Sequence, residues 1–384
     1  MKKIVFTLFL GFLCFGFLRI PLLSEERKMP PEPKVLNFNV EFNSEPVRAY
    51  YMLIDARTTE EKELSIITKK IPGSIFVFFH GHGQRPENGY NLTANLALKS
   101  KSGLVLVPMC DTPYGEKEEW RGDNGKDIIL MEVIRYILST FGATLPEDKA
   151  GLDLKVKIKT KESYPQNKEN LIPVNLIALG YSHGAILARR MASIYYKNFV
   201  GLGQMAPAGY EDWGSGCLGA SCLMLNFTGE SVCISTEIFR GHACDTVDLT
   251  LGISRGLVGD TLRSCPSCLW GNFSCFKFFR GWKDIEDCTT FMDDKNFPLP
   301  FVKNVVVLFA KDDSVFEYDN VGLSNPDHLQ QPEKEKFWST YYPGAVINGA
   351  NLTLKILPGQ HSGPINYYPE YVQALLSGTG QLKI

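Results

Sequence analysis

The sequence predicts an α/β fold with a mostly parallel central sheet and helices on both faces. Three kinds of observation support it: short apolar runs typical of buried strands, helical segments between those runs, and turn residues where the runs end. The apolar runs are Ile75–Phe79, Gly103–Pro108, Val174–Leu179, Gly201–Ala206 and Val302–Ala310. Because strands and helices alternate along the chain, most neighbouring strands are expected to lie parallel.

The elements before Val174 fit this order. Val35–Phe42 and Val47–Ile54 are rich in strand-forming residues, which predicts an antiparallel hairpin at one edge of the sheet. Helices are expected over Asn91–Lys99 and Asp127–Phe141, with Asp127 as the cap that begins the second helix.

The later elements continue the pattern. A basic, two-stranded excursion with a solvated face is expected over Lys149–Lys168. A helix is expected over Ala185–Tyr196, and a loop followed by a charged helix over Pro326–Tyr342. Leu352–Leu357 alternates as a last strand, and Pro369–Leu376 forms the closing helix.

The N-terminus predicts export. Lys2 and Lys3 precede an apolar run over Ile4–Leu18, which continues through Arg19 to Leu23. The shorter run suits a cleaved signal peptide, whereas the longer one suffices for a membrane anchor. The absence of an A-x-A cleavage site favours the uncleaved anchor. Residues 1–34 are therefore assigned as signal peptide or membrane anchor plus a Pro-containing tether, and the protein as secreted, periplasmic or membrane-anchored.

The composition indicates an ordinary globular protein after this segment. Hydrophobic residues make up 44%, and 40 Lys and Arg nearly balance 42 Asp and Glu. Nothing in this balance indicates a nucleic-acid partner. Residues 35–208 and 301–384 are assigned to one large domain, interrupted by an insertion over 209–300.

The insertion is rich in cysteine. Eight of the ten cysteines lie between Cys217 and Cys288. In an exported chain this predicts a disulfide framework of up to four bridges. The alternative is a zinc site on Cys265 and Cys268 with His242 or Cys244. We expect the insertion to form a lid over the sheet, whose aromatic side chains either line an apolar pocket or form its own small core.

The candidate nucleophile lies between a strand and a helix. Gly180 to Gly184 reads Gly-Tyr-Ser-His-Gly, a G-x-S-x-G pattern that follows the Val174–Leu179 run and precedes the Ala185–Tyr196 helix. A serine on so sharp a turn is exposed at a helix N-terminus, where backbone amides favour a developing negative charge. The alternative is an ordinary glycine-flanked turn. The strand-to-helix context favours a nucleophile, Ser182.

A candidate acid and a candidate base follow in order. Asp313 comes directly after the Val302–Ala310 strand, at the edge where a parallel sheet presents its functional groups. Its neighbour Asp312 is the runner-up. His361 follows the Leu352–Leu357 strand in a Pro-Gly-Gln-His loop. The chain order is thus Ser, Asp, His.

The loop after Ile75–Phe79 is a candidate oxyanion hole. It reads His80-Gly81-His82-Gly83, and such a loop lies beside an elbow serine in this architecture. The peptide N–H groups of His82 and His183 are the expected donors, and the histidine side chains are expected to pack the loop.

These motifs resemble the α/β-hydrolase superfamily over about Val35–Leu376, with the cysteine-rich insertion outside the resemblance. The resemblance implies that Ser182 attacks a carbonyl, that His361 transfers the proton, and that Asp313 orients the imidazole. An acyl-enzyme then forms and is hydrolysed by water, without a metal or a cofactor.

The substrate class follows from this chemistry. Carboxylic esters are the first expectation, and the aromatic insertion and the N-terminal segment favour lipid or fatty-acyl esters. Two alternatives remain open. One is an acyltransferase or amidase with the same three residues, and the other is a non-catalytic binding protein on a hydrolase fold.

Overall fold

The fold is described from a computed structural model of the chain. It describes residues 26–42, 45–81, 84–110, 125–145, 159–160, 171–210, 292, 295, 297–313, 315–361, 363–366 and 368–383. Most of the cysteine-rich insertion lies outside these residues, and so does the N-terminal apolar run. The predicted lid, the disulfide or zinc alternatives and the anchor therefore stay predictions.

Eleven strands are present among the described residues. They are β1 (Leu36–Phe42), β2 (Glu45–Asp55), β3 (Ile75–Phe79), β4 (Leu104–Pro108), β5 (Ala143–Thr144), β6 (Lys159–Thr160), β7 (Ile172–Pro173), β8 (Leu176–Tyr181), β9 (Phe199–Met205), β10 (Asn304–Ala310) and β11 (Asn351–Leu357). Eight α-helices accompany them: α1 (Thr59–Thr68), α2 (Tyr90–Lys99), α3 (Gly125–Thr140), α4 (His183–Ile194), α5 (Gln331–Tyr341), α6 (Pro343–Ile347), α7 (Gly363–Asn366) and α8 (Tyr368–Gly378).

Nine strands form one sheet in the order β11-β10-β9-β8-β3-β4-β2-β1-β6. The six strands from β11 to β4 are parallel, and β2, β1 and β6 add antiparallel pairs at one side. The prediction of a mostly parallel sheet with an antiparallel hairpin near its edge is confirmed. A separate pair, β5 and β7, was not predicted.

The sheet is covered on both faces, as predicted. In β8, Leu176 and Ala178 face a core that includes α3, α4 and α5, whereas Ile177 and Leu179 face a second core with α2 and α8. A strand buried on both faces needs apolar side chains at every position, and the five residues of β3 are all buried. This is why the central strands could be recognised as continuous apolar runs.

Several predicted helix boundaries were wrong by one or two residues. Helix α3 begins at Gly125, so Asp127 lies in its first turn and does not cap it. The Asp127 carboxylate instead pairs with Arg190, at 2.7 Å. Helix α4 begins at His183 and ends at Ile194, two residues before the predicted bounds.

Helix α1 was not predicted, although the sequence contains a local pattern that indicates where the helix begins. The side chain of Thr58 accepts from the Glu61 N–H at 3.2 Å, and the Thr58 N–H donates to Glu61 Oε2 at 3.0 Å. This reciprocal capping box is readable as Thr-x-x-Glu. Within the described residues, no helix is long and apolar enough to cross a membrane.

Candidate active site

The turn between β8 and α4 holds Ser182 in a strained conformation. Its φ is 56° and its ψ is −127°, values that a non-glycine residue rarely adopts. The chain turns so abruptly that the strand ends at Tyr181 and the helix already begins at His183, with Ser182 alone between them. The side chain is thereby displayed at the carboxyl end of the central strand, at the N-terminus of α4.

The two glycines of the motif make this turn possible. A Cβ on Gly180 would lie 2.2 Å from the Gly184 carbonyl oxygen, and a Cβ on Gly184 would lie 2.0 Å from the Phe79 carbonyl oxygen. Both contacts are with backbone, which cannot move aside. Helix α4 can therefore pack against β3 and β8 only with glycine at these positions.

Ser182, His361 and Asp313 form one hydrogen-bonded chain. The Oγ of Ser182 lies 2.9 Å from Nε2 of His361, and Nδ1 of His361 lies 2.9 Å from Oδ2 of Asp313. All three residues are buried. If Nδ1 carries the proton that it shares with the carboxylate, Nε2 is left to accept from the serine hydroxyl. This is the arrangement in which an imidazole can remove the hydroxyl proton.

The two candidate acids, Asp313 and Asp312, differ in their burial and in their hydrogen bonds. Asp313 is buried, and its Oδ1 accepts from the backbone N–H groups of Val315 and Phe316 at 2.8 and 3.0 Å. These bonds fix the orientation of the carboxylate, so that its second oxygen lies towards His361. Asp312 is exposed, and its backbone N–H donates to the Gly359 carbonyl at 2.9 Å.

The backbone of His361 is held by a residue that the sequence analysis did not single out. The Tyr181 hydroxyl donates to the His361 carbonyl at 2.9 Å, and the two rings lie 5.4 Å apart. Phe316 packs edge-on against the other side of the imidazole, with ring centroids 5.3 Å apart. The middle position of Gly-Tyr-Ser was the only available signal for Tyr181.

The expected oxyanion donors are only partly described. His183 is the first residue of α4, where the N–H groups of a helix point away from its own hydrogen-bond ladder. His82 lies outside the described residues. Gly81, which precedes it, lies close to the serine: a Cβ on Gly81 would be 3.3 Å from Ser182 Cβ.

Two buried side chains hold Gly81. The Gln84 Oε1 accepts from the Gly81 N–H at 2.9 Å, and His80 Nδ1 lies 3.0 Å from the Gly81 carbonyl oxygen. The other nitrogen of His80 accepts from the Cys110 N–H at 2.9 Å. An imidazole that accepts at Nε2 and donates at Nδ1 is neutral, so His80 serves as a fixed support between the ends of β3 and β4.

Gly209 and Met292 lie side by side, although residues 211–291 between them in sequence are not described. The Met292 N–H donates to the Gly209 carbonyl at 2.7 Å, on either side of the long segment that is not described. Buried Arg189 of α4 donates to the carbonyls of Met292 and Tyr341 at 3.0 and 2.6 Å. The helix that follows Ser182 is therefore tied directly to the backbone of Met292 and of Tyr341.

Glu317 lies close to two other carboxylates, those of Asp313 and Asp319. Burial and the nearby carboxylates of Asp319 and Asp313 raise the pKa of Glu317 above its ordinary value.

Within the described residues, no group of three or more His, Cys, Asp or Glu side chains is placed to hold a metal ion.

These features define the α/β-hydrolase fold: a mostly parallel sheet, a strand-to-helix elbow at its centre, and an acid and a histidine after two later strands. No protein-family model matches the chain, and no curated protein matches it. The fold assignment rests on the chain's own sheet order and elbow.

Several solved structures are similar to the chain at low identity. A serine hydrolase involved in carbazole degradation is 11% identical, with a TM-score of 0.45 over 90% of this chain and 99% of its own. A marine microorganism esterase is 12% identical, with a TM-score of 0.44 over 86% and 98%. The thioesterase domain of the curacin biosynthetic pathway is 10% identical, with a TM-score of 0.44 over 89% and 99%.

Proposed function

We propose that this protein is a serine hydrolase that cleaves carboxylic esters, with Ser182 as nucleophile and His361 as general base and acid. The observation that carries the proposal is the buried chain of hydrogen bonds from Ser182 through His361 to Asp313, with 2.9 Å at each link. A strained backbone at a serine costs free energy, and a serine within hydrogen-bonding distance of an oriented imidazole gives that strain a catalytic use.

The proposed reaction begins when Ser182 Oγ attacks the ester carbonyl and His361 Nε2 takes the hydroxyl proton. Asp313 holds the imidazole in the required orientation and stabilises its charged form. The resulting oxyanion is stabilised by the N–H groups of His183 and His82. His361 then returns the proton to the departing alkoxide, which leaves as the alcohol.

Deacylation repeats these roles with water in place of the serine. His361 removes a proton from water, the hydroxide attacks the acyl-enzyme, and Ser182 regains its proton as the carboxylic acid is released. Neither half-reaction calls for a redox step or an external cofactor. An amine or alcohol acceptor in place of water would make the same site an acyltransferase.

We further propose that the protein is exported and held at a membrane by the apolar run that begins at Ile4. The support is in the sequence: two lysines precede the run and no small-residue cleavage site follows it. Lipid and fatty-acyl esters are therefore among the substrates to try, beside short-chain esters.

The proposal is tested by the hydrolysis of p-nitrophenyl esters of increasing acyl length. Ser182→Ala is expected to lower kcat by at least about 10⁴-fold without loss of folding, as judged by circular dichroism and Tm. Ser339→Ala, a change at an exposed serine of α5, is the matched control and is expected to leave activity unchanged. A folded wild type without esterase activity, or equal activity in Ser182→Ala, would contradict the proposal.

A further inference from the structure

We propose that the edge of the central sheet where its parallel strands begin is a docking surface for an anionic lipid bilayer. This edge is opposite to Ser182, which lies where the strands end. The inference deepens the proposed membrane association and rests on it. It names the face of the domain that meets the bilayer, and it therefore also fixes the direction in which the active site opens.

The exposed apolar side chains gather at this edge. The described residues include eight large apolar side chains that are exposed, and six of them lie in segments that lead into β3, β10 or β11. These six are Leu64 (56% exposed), Ile66 (71%), Ile67 (79%), Phe301 (60%), Val346 (44%) and Ile347 (83%). A cluster of that kind on a monomer marks a surface that contacts something apolar.

Contacts join the approaches to three neighbouring strands, β9, β10 and β11. The side chain of Asn348, just after α6, donates to the Pro300 carbonyl at 2.9 Å, which places Ile347 and Phe301 side by side in the fold. Phe301 also stacks on Tyr196, with ring centroids 5.0 Å apart. From β11 to β3 there are four strand spacings, or about 19 Å, so the surface is wide enough to lie on a bilayer.

Exposed lysines share this edge. They precede β3, β4, β9 and β10 and are Lys69, Lys70, Lys101, Lys197 and Lys303. Of the carboxylates on α1, Glu61 is paired with Arg27 and Lys383, which leaves Glu60 and Glu63 exposed. Basic side chains at a bilayer surface attract anionic headgroups, so the edge combines apolar side chains with a complementary charge.

The described part of the opposite edge is more acidic. The loop after β10, beside the active site, exposes Asp312, Asp319 and Asp327, of which Asp327 pairs with Lys311. Among the described residues, the edge where the parallel strands begin is therefore better suited to an anionic bilayer.

The N-terminal chain joins the domain at the same edge. The Arg27 guanidinium donates to Glu61 of α1 at 2.7 Å and to the carbonyls of Ala97 and Lys101 at 3.3 and 3.1 Å, near the C-terminus of α2. These contacts of Arg27 form what we call the N-terminal clamp. Residues 1–25 precede it, and the apolar run ends at Leu23. A run that enters a membrane would thus bring the α1 edge to the membrane surface. This arrangement favours a bilayer over a protein as the occupant.

The arrangement has a consequence for the substrate. Strand β8 has six residues and spans about 20 Å, so Ser182 would lie at least that far from the bilayer surface. The active site then faces the aqueous phase. Its substrates would reach it from solution or from a facing surface, and the anchoring leaflet would not supply them directly.

The test is photo-crosslinking of the full chain in vesicles that contain a photoactivatable phospholipid. One set of vesicles has equal parts of phosphatidylglycerol and phosphatidylcholine, and the other has phosphatidylcholine alone. Mass spectrometry of the peptides is expected to find lipid adducts around Ile66–Lys70, Phe301 and Ile347, with several-fold more in the anionic vesicles. Adducts confined to residues 1–25, or found in the loops after β10 and β11, would overturn the proposal.

Variants sharpen the result. Replacing Lys69 and Lys70 together by Gln is expected to reduce the anionic preference several-fold, since each lysine contributes up to about fivefold to partitioning. The matched control replaces Lys336 and Lys355, two exposed lysines away from this edge, and is expected to change nothing. Equal losses in both pairs, or self-association of the protein in place of lipid adducts, would overturn the assignment.

Labelling by a fluorophosphonate probe in the same samples keeps the two proposals apart. The lysine variants are expected to label like the wild type, since none of the changed side chains lies at the active site. A wild type that crosslinks as expected but does not label would contradict the hydrolase proposal alone. Normal labelling with adducts at the wrong edge would contradict the docking surface alone.

Discussion

The Nε2 atom of His361 lies 2.9 Å from the Oγ of Ser182, although 179 residues separate the two in sequence. The contact depends on two precise supports. The strained turn after β8 places the Ser182 side chain at the end of the strand. Tyr181, the residue before Ser182, donates its hydroxyl to the His361 carbonyl and so fixes the backbone of the histidine. The motif therefore positions the base as well as the nucleophile.

The two neighbouring aspartates are expected to differ sharply on substitution. Asp313→Asn keeps the shape of the side chain but favours the wrong imidazole tautomer, so kcat should fall by about 10⁴-fold. Asp312→Asn changes an exposed side chain and should keep nearly full activity. Steady-state kinetics of both variants decide the matter. Similar rates for the two would contradict the assigned role of Asp313.

Gln84 is expected to act as a positioning residue for the loop beside the serine. Its Oε1 holds the Gly81 N–H, while its Nε2 is buried without a hydrogen-bond partner among the described residues. Gln84→Leu should lower kcat about tenfold or more with little change in KM, because the loop loses its orientation. Gln84→Glu keeps the acceptor and should recover part of the loss.

The kinetics distinguish this role from a purely structural one. If Gln84 only stabilises the fold, Gln84→Leu lowers Tm and leaves the kcat of the folded fraction unchanged. Active-site titration with a fluorophosphonate supplies the folded fraction, against which kcat is normalised.

Gly184→Ala is expected to disrupt the elbow. The new Cβ would lie 2.0 Å from the Phe79 carbonyl oxygen and 2.5 Å from that of His80. Overpacking against backbone should cost at least about 3 kcal/mol of unfolding free energy. Gly349→Ala is the control: its Cβ would meet nothing within 4 Å, and only the positive φ of 67° costs energy, about 1 kcal/mol. Chemical denaturation measures both, and equal losses would contradict the packing argument.

Acid is expected to release the N-terminal clamp. Burial raises the pKa of Glu61, but hydrogen bonds from Arg27, Lys383 and the Thr58 N–H outweigh it and lower the pKa from 4.5 to about 2. A lowered pKa adds stability above pH 4.5, which is lost as the pH falls towards 2.

Replacing the carboxylate shows whether Glu61 is responsible. Glu61→Gln should be less stable than wild type at pH 6, and the difference should shrink below pH 4. Thermal melts across this range provide the measurement. A difference that does not depend on pH would show that the charge of Glu61 is not what stabilises the clamp.

Local sequence patterns predicted the sheet and its order of elements well, because each buried strand needs its own apolar run. The capping box at Thr58 and Glu61 was equally local, and α1 could have been found from it. The serine elbow was also predictable, since its Gly-x-Ser-x-Gly pattern lies between an apolar run and a helical segment, and a side chain at position 180 would meet the Gly184 carbonyl oxygen in the same turn.

The remaining features depend on contacts between distant segments. Which of two adjacent aspartates faces His361 is decided by the turn after β10, where Asp313 accepts from two backbone N–H groups. The support of Gly81 by Gln84 likewise depends on how a loop folds back on itself. Neither Tyr181 nor Gln84 carries a sequence pattern that reveals such a contact. These roles became apparent only from the three-dimensional arrangement.

The most direct test of the central claim is the reaction of the full-length protein with a fluorophosphonate, read by peptide mass spectrometry. The account predicts one stoichiometric adduct on Ser182, absent from Ser182→Ala and formed at least about 10³-fold more slowly in His361→Ala because the base is lost. A folded wild type that forms no adduct, or an adduct that persists in Ser182→Ala, would contradict it.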